Sequence, residues 1–307
     1  MDAGDLAVFA AVARAGGINR AAQALNTVQS NVTQRVRLLE RELGVPLFHR
    51  HSRGVTLTSA GTQLLPYAQR IGQLLAEARR AATNGAEPSG RLAIGSLETT
   101  AARRLPPLLT RYATAYPRVD IVLQTGTSAE LVEDVLERRL EGAFVAGPVG
   151  NPELIEETIL EEELVVVTAP RVRTLDGCLA PRPGMAEIKI LVLRAGCSYR
   201  QRFEQILAMR GVAGVRRLEF GTVDGIIGCA AAGIGITLLP RAVIEPALRD
   251  GRVAAHALPP AEARVATVFI RRRDAFVSTA LARFLDGARE GAAGADGAAA
   301  ESLSRRA

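Results

Sequence analysis

Apolar residues recur at helical spacing through roughly the first 85 positions of the chain. Leu6, Phe9 and Ala13, with Val12 beside them, mark a first helix that Gly16-Gly17 ends. Asn19 is a good N-cap for a short second helix over 20–25. Asn26-Thr27-Val28 then turns the chain into a third helix over about 30–43, which Gly44-Val45-Pro46 stops. A short extended pair follows at 47–50 and 55–57, joined by His51-Ser52-Arg53-Gly54. Thr58 caps a long helix over 59–83, along which Leu64, Leu65, Ala68, Ile71, Leu75, Ala78 and Ala82 form a near-heptad seam.

After the linker at 84–90 the pattern changes to alternating strands and helices. Strands are expected at 91–95, 119–124, 142–146, 164–168 and 188–193, with helices at 103–116, 129–140 and 199–210 between them. That alternation predicts an open parallel sheet with crossover helices, so the fold class is α/β behind an all-α N-terminus. From Gly287 the chain is rich in Ala and Gly, and a disordered tail over 287–307 is expected.

On a helical wheel the third helix places Val32, Val36, Leu39 and Leu43 on one apolar face. Ser30, Gln34, Arg37 and Arg41 lie opposite, with Asn31 and Thr33 on the shoulders. Short hydrogen-bonding side chains followed by arginines suit base edges in a major groove and then flanking phosphates. The bland alternative is a solvated helix face, but the preceding helix and short turn have helix-turn-helix proportions. Arg50 and Arg53 flank the Gly54 turn as a candidate wing, with His49 and His51 as wing surface and no metal site expected. Glu40 and Glu42 read as surface partners of these cations.

Composition adds little to this picture. The chain has 307 residues, 48% hydrophobic and 23% charged, which suits about two soluble globular domains. Its net charge is +6, and every one of the 38 basic residues except Lys189 is arginine. A GC-rich genome explains such an excess without any function. Three cysteines (Cys178, Cys197, Cys229) are too widely spaced for a metal knuckle or a disulfide framework. The acidic start does not read as a signal peptide, and the uncharged run at 225–240 is shorter than the roughly 20 residues of a membrane helix, so a cytoplasmic protein away from membranes is expected.

Residues 17–61 resemble the LysR-type transcriptional regulators. The resemblance is carried by Ala21-Ala22, Leu25, Gln29-Ser30, Thr33, Leu39-Glu40, Leu43-Gly44, Leu47-Phe48-His49-Arg50 and Leu57-Thr58-Ser59-Ala60-Gly61. Gly17, Asn19, Ser30 and Gln34 depart from the residues usual there. The resemblance implies a winged helix-turn-helix over 1–58, with Gln29, Ser30, Thr33 and Gln34 touching double-stranded promoter DNA. It implies a 59–90 linker whose helix pairs protomers into a homodimer or homotetramer, and leaves room for RNA polymerase as a further partner. The second half is similar to the family's periplasmic-binding-protein-like effector domain, placed at 91–286 with two subdomains. There the run Ala230-Ala231-Ala232-Gly233-Ile234-Gly235-Ile236-Thr237-Leu238-Leu239-Pro240 carries the likeness.

Three strand-to-helix junctions in that half carry hydroxyls beside unpaired helix N–H groups: Ser96 to Thr100, Arg194 to Arg200, and Phe220 to Asp224. Each is explicable as ordinary capping; the resemblance tips the balance toward a small-molecule cleft, and implies that Ser96, Thr99 and Thr100 line its first edge and Ser198 its second, with Glu98, Tyr199 and Thr222 at the same junctions. Glu98 facing inward favours an amine; paired with Arg103 or Arg104 it restores an anion site. Cys197 at the same rim reads as packing rather than a redox sensor. No catalytic residues and no cofactor beyond an unidentified small-molecule effector are expected. Gly233-Ile234-Gly235 is not a dinucleotide fingerprint, Lys189 sits in no phosphate loop, and no G-x-S-x-G elbow occurs. A transport-associated binding protein and an α/β transferase are the competing readings; the first predicts ligand binding without DNA binding, the second turnover.

Overall fold

The computed structural model describes residues 1–51, 54–179, 187–212 and 214–304. Contacts divide the chain into two compact units, Met1–Thr83 and Asn84–Ala307.

The first unit contains α1 (Ala3–Ala15), α2 (Ile18–Ala24), α3 (Gln29–Leu43), the strands β1 (Phe48–His51) and β2 (Gly54–Leu57), and α4 (Ser59–Thr83). Asp2 and Asp5 form a capping box at the start of α1. Glycines in the left-handed region end α1 and α3, Gly16 at φ 61° and Gly44 at φ 71°. The second helix begins earlier than expected, with Gly17 and not Asn19 as its N-cap. Leu6, Phe9 and Val12 of α1 pack with Ala21 of α2, with Val32, Val36 and Leu39 of α3, and with Leu47 and Phe48. Leu43, expected on the same face, is 37% exposed because the helix ends there. The antiparallel hairpin pairs Phe48 with Leu57 and His51 with Gly54. It lies so close to the end of α1 that a Cβ on Gly54 would collide with the Gly16 carbonyl oxygen. Thr58 caps α4 as expected, accepting from Gly61 N at 3.0 Å.

The seam on α4 splits in two. Leu64, Leu65, Ala68 and Ile71 pack on the core of their own unit. Leu74 and Leu75 are 42% and 45% exposed, and Ala78 and Ala82 are exposed with them.

The second unit begins with β3 (Gly90–Ser96), α5 (Glu98–Arg103), α6 (Leu105–Ala115), β4 (Val119–Thr125), α7 (Ser128–Leu136), β5 (Gly142–Ala146) and β6 (Leu154–Thr168). It continues with α8 (Leu175–Leu179), β7 (Ile188–Leu193), α9 (Ser198–Met209), β8 (Val215–Phe220), α10 (Val223–Ala231), β9 (Thr237–Pro240), α11 (Arg241–Arg249), β10 (Ala254–Ala257), α12 (Pro260–Ala263), β11 (Arg264–Arg272) and α13 (Thr279–Ser304). The expected all-parallel sheet is corrected. The main sheet is mixed and seven-stranded, in the order β10-β6-β11-β5-β3-β4 with β9 also on β6. Strands β3, β4 and β5 are parallel, but β11 runs antiparallel to both β5 and β6. A second, parallel pair joins β7 to β8. The long strand β6 ties the halves together. Leu154 to Glu163 pair with β11, and the following residues pair with β9 and β10. One core gathers Ile94, Leu105, Tyr112, Phe144, Phe269 and Phe284; another gathers Val165, Leu191, Ile226, Leu239 and Ile244.

Most of the segment expected as a disordered tail from Gly287 is helical among the described residues, and 305–307 lie outside them. Helix α13 continues to Ser304, and Ala288 is buried in the core beside Leu281 and Leu285. Alanine's high helix propensity carries the segment that its lack of apolar bulk argued against. Phe284 is fully buried, edge-on to Tyr112 at 5.4 Å and to Phe144 at 6.2 Å. Replacing Phe284 by alanine should lower the unfolding free energy by about 3–5 kcal/mol, as large core truncations do. Urea denaturation of the variant measures this, and a loss below about 1 kcal/mol would mean that α13 does not close this core.

Candidate functional site

Burial of Val32, Val36 and Leu39 turns the polar side of α3 outward. Gln29, Ser30, Asn31, Gln34, Arg37 and Arg41 are exposed and Thr33 is half-buried. All of these except Asn31 line one concave surface along the helix. Part of this face is internally oriented. The Gln29 amide donates to Thr33 Oγ1 at 3.3 Å, Thr33 Oγ1 donates back to the Gln29 carbonyl at 2.9 Å, and the Asn31 amide donates to Thr27 Oγ1 at 3.0 Å. Glu40 has a role the sequence did not show. Its Oε1 accepts from Leu47 N at 2.9 Å and Phe48 N at 3.3 Å, while Oε2 pairs with Arg50 at 3.2 Å. One carboxylate thus fixes the hairpin to the helix and holds Arg50 on the same side. Arg53 lies outside the described residues.

In the second unit four strand-to-helix junctions meet around a cavity of about 270 Å³. They join β3 to α5, β4 to α7, β7 to α9 and β8 to α10, the strand carboxyl ends at which open α/β sheets bind ligands. Of the seven expected residues, Glu98, Thr99, Ser198, Tyr199 and Thr222 line it. Ser96 and Thr100 do not: both are buried in the wall, and Ser96 Oγ donates to the Leu97 carbonyl at 3.0 Å. The junction at Thr125-Gly126-Thr127-Ser128 was missed. Its signal was available, because Thr127 and Glu130 form the S/T-x-x-E capping box directly after a strand.

Polar contacts cross the cavity. Glu98 pairs with neither Arg103 nor Arg104; its Oε1 accepts from Val223 N at 2.9 Å, at the first turn of α10. There the positive end of the helix dipole offsets its charge. Arg104 is instead engaged with Glu162 through two 2.9 Å bonds. Ser198 Oγ donates to Ser128 Oγ at 2.8 Å, and Arg194 stands 3.9 Å from Glu130. The hydroxyls of Thr99, Tyr199 and Thr267 lie together under the cavity, close enough to influence the phenol but outside hydrogen-bonding geometry. Burial drives the Tyr199 phenol far above its ordinary range. Burial also pushes the Cys197 thiol up, against the opposing pull of the Arg200 and Tyr199 N–H groups. A buried thiol held protonated is packing rather than a reactive thiolate. Among the described residues no group of His, Cys, Asp or Glu is arranged to hold a metal ion, and no helix is long and apolar enough to cross a membrane.

Comparison with known proteins follows the same division. The model of the bacterial regulatory helix-turn-helix protein, lysR family, matches residues 4–62, and that of the LysR substrate binding domain matches residues 85–293. The chain is 43% identical over 286 residues to the HTH-type transcriptional regulator GltR of Bacillus subtilis, covering 91% of this chain and 93% of that one. It is 41% identical to the HTH-type transcriptional regulator YofA of Bacillus velezensis, covering 94% and 97%. Among solved structures it is similar to full-length CbnR complexed with the target DNA, at a TM-score of 0.65 and 26% identity over 95% of this chain and 100% of that one.

The unpaired phenol makes a specific expectation. Tyr199→Phe deletes a hydroxyl whose contacts with Thr99 and Thr267 fall short of good hydrogen-bonding geometry, so stability should stay within about 1 kcal/mol or rise. Equilibrium urea unfolding reads this directly, and a loss of about 2 kcal/mol or more would show that the hydroxyl has a partner in solution.

Proposed function

Because the chain belongs to the LysR family of DNA-binding transcriptional regulators and carries that family's substrate-binding domain, we propose that it reads promoter DNA with α3 and adjusts that binding to a small molecule held in its cleft. The observation that supports this best is the single concave face of α3, where Gln29, Ser30, Thr33 and Gln34 precede Arg37 and Arg41. Ser30 and Gln34 reach base edges in the major groove, with Gln29, Asn31 and Thr33 beside them. Arg37 and Arg41 meet flanking phosphates, and Arg50, steadied by Glu40, approaches the backbone from the hairpin. This chain works as a regulator in the cytoplasm and not as an enzyme, in keeping with the names of its relatives.

Thr99, Ser198, Tyr199 and Thr222, with Glu98, meet the effector, while Ser96 and Thr100 support the wall behind them. Two copies associate through the exposed end of α4, around Leu74, Leu75, Ala78 and Ala82, and so present two reading helices to two half-sites.

Gel retardation with the chain's own upstream region tests the DNA assignment. A dimer neutralising on the order of 6 phosphates should lose affinity with a log–log salt slope of about −5, at roughly −0.9 per phosphate. Ser30→Ala and Gln34→Ala should change the preferred sequence, whereas Arg37→Ala, which removes one phosphate contact per protomer, should weaken all duplexes alike and flatten the dimer's salt slope by about 2. Absence of retardation at low salt, with or without a screened set of amines, amino acids and carboxylates, would refute the reading. Leu75→Arg should shift the protein to monomers in sedimentation and cost most of its affinity for paired half-sites; an unchanged sedimentation coefficient would place the interface elsewhere.

A further inference from the structure

Helix α3 starts on a residue that helix starts avoid. Val28 is its N-cap, at φ −87° and ψ 148°, and no side chain there accepts from the first-turn N–H groups. Serine, threonine, asparagine and aspartate are preferred at this place because their oxygens accept those bonds; valine is among the least favoured residues. Nor is Val28 there to pack, since it is 66% exposed. Neither helix energetics nor burial accounts for an isopropyl group at this point. A residue that breaks a local rule without a structural return marks a functional position.

Its neighbours define what that function is. Exposed Gln29 and Ser30 follow it directly at the N-terminal tip of α3. The amides of Gln29 and Asn31 are held by Thr33 and Thr27, so polar groups beside Val28 are oriented by the protein itself. In a major groove the one apolar feature among the base edges is the C5-methyl group of thymine, which is read by contact with an apolar side chain. We propose that Val28 is a specificity-determining residue that packs on a thymine methyl group in each half-site. The proposal rests on the assignment of α3 as the DNA-reading helix and adds a residue to it.

The test uses the full chain and duplexes selected by it from a random pool. Each thymine of the selected site is replaced in turn by deoxyuridine, which removes only the methyl group, and affinity is measured for the natural chain and for Val28→Ser. One thymine per half-site should be sensitive, its replacement weakening the natural chain about 4-fold, the worth of one buried methyl group. Val28→Ser should bind the thymine duplex several-fold more weakly and be indifferent to deoxyuridine there. It should also melt at a higher temperature, because serine restores the missing cap. A purely structural valine would instead give a lower melting temperature. That outcome, equal deoxyuridine penalties in both proteins, or no sensitive thymine would overturn the proposal while leaving α3 as the reader. If no duplex is selected at all, the reading of α3 fails with it.

Discussion

Three side chains that meet no ligand decide what α3 is able to do. Val32, Val36 and Leu39 are buried against Phe9, Val12 and Phe48, and each such burial stabilises by about 1.5–3 kcal/mol. With 3.6 residues per turn, holding these three inward leaves Ser30, Gln34, Arg37 and Arg41 facing outward. The helix therefore cannot rotate its polar stripe away without losing its core. Glu40 extends the same constraint to the hairpin: its carboxylate receives two backbone N–H groups from the start of β1 and holds Arg50. Glu40 thus ties the described part of the hairpin to α3.

The cleft obeys a different constraint, set by topology. Parallel strands joined by helices bring helix N-termini to one edge, and their unpaired N–H groups must be satisfied there. Thr127 and Glu130 satisfy α7, Thr222 satisfies α10, and Glu98 reaches from α5 to Val223. The ambiguity that surrounded Glu98 in the sequence is thereby resolved in an unforeseen way. Its charge is neither paired with a neighbouring arginine nor loose in the cavity, because a helix start on the facing element holds it. What else lines the cavity is mixed: hydroxyls such as Thr99, Thr125 and Ser198, the Arg194 guanidinium, and the apolar Leu97 and Leu193.

Much of this was legible beforehand, and the failures have physical causes. The apolar face of α3 was readable because three buried residues repeat at strict helical spacing. The family resemblance was readable from 17–61, where the motif coincides with that core and the hairpin. The first part of β6 was not, because Glu156, Glu157, Glu161 and Glu162 break its apolar pattern. Three of these are paired with residues distant in sequence, Glu157 with Arg289, Glu161 with Arg264 and Glu162 with Arg104. Antiparallel β11 was missed with it, so the sheet was taken as parallel. In the cleft, Ser96 and Thr100 sit on the far side of the wall because successive residues of a strand and of a helix turn point to different faces. Val28 carried no recognisable chemical signature, and Glu40 read only as a partner of surface cations; one became visible through its exposure and the other through its bonds to the Leu47 and Phe48 N–H groups.

The central claim is that the outward face of α3 and the hairpin meet duplex DNA. Amide hydrogen exchange on the full chain, with and without the duplex it selects, examines that contact residue by residue. Exchange should slow over Val28 to Gln34 and across β1 and β2 when DNA is present, and stay unchanged around the cleft junctions. Unchanged exchange in α3 at saturating DNA, or protection confined to the second unit, would contradict the account.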